Sequence, residues 1–251
     1  MSWVHTCISE TGPIESDDIG LDVATGTGIF ARSLVTSGCN KVYGLDATPE
    51  MLAEAKLKCE EDNNITSDQI ELVQGDAANL PFPNDSFDIV TSRLAVHHFS
   101  DPTSILEEMS RVCKPSGRVI VVDIVAPDND LEAEEMNRLE TLRDPSHVWS
   151  FQINKLKALI ESTTLLKCVS INQRSTTMQP PEETCFNNPM NLKGWMEATA
   201  TPPHSVLKIE RAIEIEIFEN GSKTGMQPHY NNGELCFTHR YVTIQAEKLL
   251  E

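Results

Sequence analysis

One short segment near the N-terminus constrains the fold more strongly than any other part of the chain. Residues 21–28 read Leu-Asp-Val-Ala-Thr-Gly-Thr-Gly, which is an apolar strand that runs into a glycine-rich turn. Residues 29–35 follow with the apolar periodicity of a helix. A strand, a tight turn and a helix start place backbone N–H groups and the positive helix end around one point. The segment therefore predicts a binding site for a nucleotide-like or carboxylate-bearing cofactor.

The glycine spacing by itself leaves two cofactors open. Gly26, Gly28 and Ala31 satisfy the dinucleotide spacing G-x-G-x-x-G/A. Asp46 follows the next strand, as that pattern requires. Asp22, however, lies inside the first strand, where its carboxylate would repel a pyrophosphate but would suit the ammonium and sulfonium groups of S-adenosylmethionine (SAM). The charge pattern therefore favours SAM over NAD.

Composition limits the classes of partner. The chain has 251 residues, 38 acidic and 20 basic side chains, and a formal net charge of −18. This size suits one α/β domain, and such a charge repels nucleic-acid phosphates and anionic membranes. The seven cysteines show no C-x-x-C spacing, so we expect free thiols, no metal site and a cytoplasmic location. No apolar run approaches the length of a membrane span, and the oligomeric state is left open.

Strand-like and helix-like patterns alternate along the chain, which predicts an α/β fold with a parallel sheet and helices on both faces. The expected strands are residues 19–24, 41–45, 69–74, 87–92, 118–124, 166–177 and 235–246. The expected helices are residues 29–37, 102–112, 131–142 and 152–162, and one that starts after an N-cap at Thr48 and buries Met51, Leu52, Ala55 and Cys59.

The region from residue 180 to residue 230 differs in composition from the rest of the chain. It contains most of the late prolines and alternates short helical patterns with loops. We interpret it as an insertion within a single domain of residues 1–251, because it is too small for its own core. Residues 213–217 alternate as a strand does, whereas the apolar positions from Val206 to Ile217 recur at helical spacing. We expect the helix.

Six motifs occur in order between Gly20 and Ile124, namely residues 21–28, 42–52, 75–77, 80–88, 97–99 and 111–117. Together they resemble class I SAM-dependent methyltransferases, and more narrowly the ubiquinone/menaquinone-biosynthesis-like group known as methyltransferase type 11. The resemblance implies a Rossmann-like, doubly wound, seven-stranded sheet, mostly parallel with an antiparallel last strand, plus a small helical lid at residues 180–230. It also implies methyl transfer from SAM to an O, N or C atom of a small-molecule acceptor, with S-adenosylhomocysteine as product.

The resemblance assigns the cofactor to the carboxyl ends of the first four strands. Asp22 would favour the ammonium group, Asp46 would accept from both ribose hydroxyls, and Asp76 would accept from the adenine amino group. Their structural alternatives are a cap of the glycine turn, a helix cap and an ordinary turn residue, respectively. The other residues that the resemblance assigns to cofactor binding are Ala24, Thr25, Gly26, Gly28, Ala47, Met51, Gly75, Ala77, Ser92, Arg93 and Leu94.

Three histidines are candidate general bases. His97 and His98 lie just beyond the fourth strand, beside the expected sulfonium. Histidine has a pKa suited to removing a proton from an acceptor. His147 belongs to residues 143–147, a segment that also resembles part of the family. The alternatives are structural packing or hydrogen bonding for one of the first two histidines, and capping of the next helix by Asp144 or Ser146 for the segment.

The insertion supplies the expected acceptor side of the site. An apolar pocket would be shaped by Phe186, Trp195, Met196 and His204. Alternatively, Trp195 would only anchor the insertion to the core. About nineteen residues precede the first strand, whereas relatives carry longer N-terminal helices that cover the cofactor and substrate. We therefore expect a truncated sequence, a more open site or another segment that supplies the lid. A SAM-binding protein without methyl transfer and an NAD-dependent oxidoreductase are the alternative functions.

Overall fold

The structure is a computed structural model that describes residues 3–176, 190–219 and 221–250. Its helices are α1 (Trp3–Ser9), α2 (Ile29–Thr36), α3 (Pro49–Glu61), α4 (Pro102–Val112), α5 (Asp130–Arg143), α6 (Ile153–Ser162), α7 (Leu192–Glu197) and α8 (Pro203–Glu219). Its strands are β1 (Ile19–Val23), β2 (Lys41–Asp46), β3 (Ile70–Gln74), β4 (Phe87–Arg93), β5 (Cys113–Ile124), β6 (Leu166–Thr176), β7 (Met190–Asn191), β8 (His229–Asn231), β9 (Glu234–Phe237) and β10 (His239–Lys248). Among these helices, none is long and apolar enough to cross a membrane.

The main sheet has the strand order β3-β2-β1-β4-β5-β10-β6. Strand β1 pairs in parallel with β2 and β4, whereas β10 lies antiparallel between β5 and β6. This confirms the predicted Rossmann-like sheet of seven strands, mostly parallel with an antiparallel last strand. The strand order reverses between β1 and β4, and ligands of open α/β sheets bind outside the carboxyl ends of the strands at such a point.

Buried side chains form a cluster on each face of this sheet. Along β5, Val119 and Val121 belong to one cluster and Ile120 and Val122 to the other, as the alternation of a strand requires. Helices α4 and α6 cover the first cluster, and helices α1, α2, α5 and α8 contribute to the second. The inner strands are therefore buried on both faces, which explains their nearly continuous apolar sequences.

Helix α3 is more exposed than its sequence predicts. Ala55 is buried, but Leu52 and Cys59 are half-buried and Met51 is 44% exposed, so the expected burial of those three residues is wrong. The helix packs beside β2 and the edge strand β3, where only a narrow stripe of its surface meets the sheet. Thr48 occupies the N-cap position without the expected side-chain hydrogen bond.

Strand β5 begins earlier than predicted. The expected turn at residues 114–117 is a kink inside the strand, with Ser116 at φ 63°. The register of β5 against β4 shifts at the same place, between Phe87 and Ile89. A single left-handed residue therefore redirects the chain while the strand continues on both sides of it.

The C-terminal region departs most from the prediction. The expected strand over residues 235–246 is interrupted at Thr238 and forms two strands. Thr238 pairs with neither sheet there, and its N–H donates to Met226 O at 2.7 Å. Strand β9 pairs with β7 and β8 in a separate three-stranded sheet, so the inserted region is not purely helical. Helix α8 confirms the helix expected over residues 213–217. Phe186 and the last residue of the predicted strand 166–177 lie outside the described residues.

The turn after β1 gives a test of the fold. At Gly26 and Gly28 the φ values are 54° and 75°, and a Cβ on Gly28 would also meet Ala55 Cβ at 3.2 Å. We expect Gly26→Ala to lower the free energy of unfolding by about 1–2 kcal/mol through backbone strain alone. Gly28→Ala should cost about 1 kcal/mol more, because α3 must also shift.

Denaturant titration of both variants and the unaltered protein measures this order of stability. Equal losses at the two glycines, or a larger loss at Gly26, would contradict the contact between the turn and α3.

Candidate active site

The turn between β1 and α2 has a left-handed backbone at three positions. Ala24, Gly26 and Gly28 have φ values of 55°, 54° and 75°. A Cβ on Gly26 would meet no protein atom within 4 Å, whereas one on Gly28 would meet Ala55. Gly28 therefore gives room to helix α3, and Gly26 leaves open space at the turn.

Asp22 fixes this turn from inside the sheet. Its side chain is buried and accepts hydrogen bonds from Thr25 Oγ1 at 2.7 Å and Thr91 Oγ1 at 2.8 Å. Burial raises the pKa of Asp22 to about 6, although the two hydroxyls and the nearby charge of Arg93 oppose the increase. Both carboxylate oxygens of Asp22 therefore accept a hydrogen bond from a hydroxyl group. These contacts agree with the alternative to cofactor binding, in which Asp22 caps the glycine turn.

Asp46 links the end of β2 to the same turn. Its Oδ2 accepts from Gly26 N at 2.8 Å and its Oδ1 accepts from Thr48 N at 2.9 Å. Asp76 follows β3 along the same edge of the sheet and is exposed, with Oδ1 accepting from Ala78 N at 2.9 Å. The three acidic candidates thus lie at or beside the carboxyl ends of three adjacent strands.

The other candidates on this edge differ in exposure. Gly75 donates its N–H to Asp46 O at 3.0 Å, so the turn after β3 is tied to β2. Ala47 and Met51 are exposed around the start of α3, and Ala77 is half-buried beyond β3. Exposed apolar atoms at this edge are available to a bound molecule, whereas a core role for Met51 is inconsistent with its exposure.

Strand β4 brings three further candidates beside β1. Ser92 is fully buried, and Arg93 is half-buried with its charge near Asp22. Leu94 has a φ of 51° and donates its N–H to Val122 O at 2.7 Å. The left-handed residue ends β4 and turns the chain towards the histidines.

The three candidate histidines lie together. The ring centroid of His97 is 4.1 Å from that of His98 and 5.5 Å from that of His147. The loop after α5 is held against this pair, because Val148 N and Trp149 N donate to His97 O at 2.9 and 3.0 Å. Residues that are about fifty positions apart in sequence therefore form one imidazole cluster.

His97 is held by a carboxylate that the sequence analysis missed. Asp123, near the end of β5, lies with Oδ1 2.5 Å from His97 Nδ1 and accepts from His97 N through Oδ2 at 3.1 Å. Burial disfavours the charged imidazole, yet the Asp123 carboxylate outweighs burial and raises the pKa of His97. An acidic residue inside the apolar sequence of β5 is the signal that could have identified Asp123.

The other two histidines have lowered pKa values. His98 Nδ1 lies 3.1 Å from Ser146 O, and burial together with the neighbouring His97 lowers the pKa of His98. His147 Nε2 donates to Asn137 Oδ1 at 2.8 Å, and burial lowers the pKa of His147 to about 4. The pKa values of His98 and His147 are thus shifted in the direction opposite to that of His97.

A cavity of about 380 Å³ opens at the end of β4, and we call it the β4 cavity. Its lining consists of Leu94, His97, His98, Ile124, Arg143, Asp144, Asn191, Gly194, Trp195, Ala198, Thr199, His239 and Tyr241. His97, His98 and Trp195 thus reach it, whereas His147, Met196 and His204 are not among its lining residues. Trp195 also packs on Phe237, with ring centroids 4.8 Å apart, so it anchors the inserted region as well.

Comparison with known proteins identifies related sequences. The family described as a methyltransferase domain matches residues 21–121. The chain is 38% identical over 182 residues to the uncharacterized methyltransferase YcgJ of Bacillus subtilis, covering 72% of this chain and 65% of that protein. It is 37% identical over 116 residues to demethylmenaquinone methyltransferase of Oceanobacillus iheyensis, covering 45% of this chain and 48% of that protein. The match thus spans less than two thirds of either relative.

Solved structures share the fold over nearly the whole chain. The crystal structure of YcgJ matches with a TM-score of 0.81 at 27% identity and covers 99% of both chains. A candidate methyltransferase of Bacillus halodurans matches with a TM-score of 0.84 at 24% identity, again over 99% of both chains. The second likeness concerns the fold alone.

The contact between His97 and Asp123 makes a prediction about titration. In the unaltered protein, NMR of the imidazole Cε1–H groups should give His97 a pKa above the ordinary ~6.5 and His147 one near 4. Asp123→Asn removes the negative charge, so the pKa of His97 should fall below the ordinary value while that of His147 stays low.

The exposed His229 serves as the internal reference in the same spectra. An unchanged His97 pKa in the Asp123→Asn variant would contradict the assigned contact.

Proposed function

We propose that this chain is a class I methyltransferase of the type 11 group and that it transfers a methyl group from SAM to a small molecule in the β4 cavity. The observation that carries the proposal is the position of Leu94. This residue directly follows β4, which pairs with β1 as far as Asp22 and Thr91, and it also lines the cavity. A cofactor bound along the strand ends and an acceptor in the cavity would therefore adjoin each other.

The residues along the strand ends fit SAM. Gly26 leaves a space that a Cβ would fill, and its left-handed backbone is held by Asp46. Each oxygen of Asp46 accepts one backbone hydrogen bond and keeps a second lone pair, which suits the two hydroxyls of a ribose. Asp76 is exposed beyond β3, where the adenine would lie in this arrangement. When bound, SAM supplies an electrophilic methyl group on a sulfonium.

Asp22 has a less direct role in this proposal. Its oxygens are used by Thr25 and Thr91, so it shapes the turn and contributes charge. Its raised pKa of about 6 still leaves it ionised at neutral pH, and a nearby ammonium would lower that pKa. Asp22 therefore favours a cationic cofactor over a pyrophosphate, which agrees with SAM and disfavours NAD.

We infer that His97 is the general base for an acceptor that must lose a proton. Asp123 accepts from Nδ1–H of the neutral ring, which leaves the lone pair on Nε2. After proton transfer, the same carboxylate stabilises the imidazolium. His98 lines the cavity beside it and is uncharged, so it would orient the acceptor rather than repel His97. His147 would act as a support, because it is buried behind the pair and bound to Asn137.

The acceptor is proposed to be a small molecule that reacts at O, N or C. A cavity of about 380 Å³ is within the range of small-ligand sites, ~300–1,000 Å³. The formal charge of −18 argues against nucleic acid and an anionic membrane surface as partners. The six cysteines of the described residues are free thiols, which supports a location in the reducing cytoplasm.

Asp46 provides the direct test of cofactor binding. Asp46→Ala removes the acceptors for the ribose and the contact with Gly26 N, so SAM and S-adenosylhomocysteine should bind about 1–3 kcal/mol more weakly. This corresponds to a loss of roughly 5- to 150-fold in affinity by isothermal titration calorimetry. Glu60→Gln removes the same charge from an exposed site at the other end of α3 and is the matched control.

Unchanged affinity in Asp46→Ala would refute the ribose contact. NADH binding in place of SAM binding would refute the proposed function as a whole.

Catalysis is tested by release of S-adenosylhomocysteine with a panel of hydroxyl, amine and acidic C–H acceptors. With the acceptor that turns over, His97→Ala should lower kcat by about 10²–10⁴-fold and leave the affinity for S-adenosylhomocysteine intact. Asp123→Asn should lower kcat less and shift its pH profile to lower pH, because the pKa of His97 falls. His229→Ala, at an exposed histidine, is the control.

Full activity in His97→Ala would exclude it as the base. Binding of SAM without turnover of any acceptor would favour a protein that binds SAM without methyl transfer.

A further inference from the structure

The β4 cavity has a charged wall that the proposed methyl transfer does not use. Glu140 and Arg143 lie three residues apart on α5 and are both buried. Arg143 Nε and Nη2 each lie 2.8 Å from the same oxygen, Glu140 Oε2. One edge of the guanidinium is thus held by one oxygen atom, and Arg143 lines the cavity.

Trp195 adds a second donor beside this guanidinium. The Arg143 guanidinium carbon lies 4.9 Å from the Trp195 ring centroid, so the two side chains stack. Trp195 is 4% exposed, and its Nε1–H is buried without an acceptor among the described residues. A buried N–H without a partner is uncommon, and a bound ligand is one way to satisfy it.

His239 lies beside the second oxygen of Glu140. Its Nε2 lies 2.9 Å from Glu140 Oε1, but the alignment is too poor for a hydrogen bond, and neither ring nitrogen has one within the described part of the chain. Burial by itself would raise the pKa of Glu140, yet Arg143 and His239 outweigh it and hold the pKa below its usual range. A single carboxylate thus faces two side chains that can carry positive charge.

The rest of the lining determines where an anion could lie. Asp144 also lines the cavity, and hydrogen bonds from Ser146 overcome the effect of burial and keep the pKa of Asp144 low. Its negative charge disfavours an anion nearby. Leu94, Ile124 and Ala198 supply apolar surface. An anionic group is therefore favoured beside Arg143 and Trp195, with an apolar body in the remaining space.

We propose that the β4 cavity selects acceptors that carry a carboxylate, bound by the Arg143 guanidinium and the Trp195 Nε1–H. The carboxylate supplies acceptor oxygens for these two donors, and Glu140 keeps the guanidinium in place. The inference rests on the proposed function, in which this cavity holds the methyl acceptor. Arg143 and Trp195 are then binding residues that orient the acceptor, whereas His97 removes the proton.

The indole groups allow a test that does not depend on turnover. The chain has three tryptophans, and in ¹⁵N-labelled protein each gives one indole N–H signal, that of Trp195 being assigned by its loss in Trp195→Phe. The protein is titrated with acetate, butyrate and 3-phenylpropionate and with their primary amides, with and without saturating S-adenosylhomocysteine. At least one acid should shift the Trp195 signal saturably, and its amide should bind about tenfold or more weakly.

Two matched double variants test the guanidinium. Glu140→Gln with Arg143→Gln removes both buried charges together, so no unpaired charge is left, and the preference for acid over amide should disappear. Glu135→Gln with Arg138→Gln removes an exposed pair with the same spacing on the same helix and should keep the preference. Trp195→Phe should lower the affinity for the acid severalfold. In this variant, the chemical shifts of neighbouring backbone amides report the binding.

The inference is overturned if no acid shifts the Trp195 signal, if acid and amide bind equally to the unaltered protein, or if both double variants behave alike. Calorimetry with S-adenosylhomocysteine on the same samples separates this failure from failure of the proposed function. If the cofactor binds but acids are not preferred over amides, only the proposed selection of carboxylate acceptors is refuted. If acids are preferred but the cofactor does not bind, only the proposed methyl transfer is refuted.

Discussion

The hydrogen bonds that hold the turn after β1 are the constraint on which the site depends. Three residues of that turn have a left-handed backbone, an arrangement that costs free energy unless the surroundings enforce it. Asp22 enforces it from β1 through Thr25, and Asp46 enforces it from β2 through Gly26 N. Two carboxylates from adjacent strands thus fix the geometry of the turn around the open space at Gly26, where we propose that the cofactor binds.

The same strand order that creates this turn also brings the proposed acid–base residues to the same edge of the sheet. Strand β4 pairs with β1 and ends at Arg93, and β5 pairs with β4 and carries Asp123 near its end. His97 follows β4 after one short turn, so it meets Asp123 at the carboxyl edge of the sheet. The loop after α5 then closes over the pair. Binding and proton transfer are therefore proposed to occur at one edge because parallel strands end there together.

The sequence predicted those strands and helices whose apolar pattern is local. The strands around Leu21 and Val90 and helix α4 were predicted almost to the residue, because burial on both faces or on one helical face leaves a periodic apolar signal. The burial of Met51 was predicted wrongly, since the position of α3 at the sheet edge is not encoded in its own sequence. The strand over residues 235–246 was predicted as continuous, because the pairing of β9 with β7 and β8 depends on partners far along the chain.

The sequence alone determined the strand–turn–helix motif, the acidic residues at successive strand ends and the family to which they point, because these are local patterns with fixed spacing. Only the tertiary structure decided what Asp22 bonds to, that His97 is paired with Asp123, and that Arg143, held by Glu140, lines one cavity with Trp195. Those pairings join residues up to about seventy positions apart. Their geometry depends on how helices and inserted strands pack on the sheet. The spacing of residues along the sequence does not predict that packing.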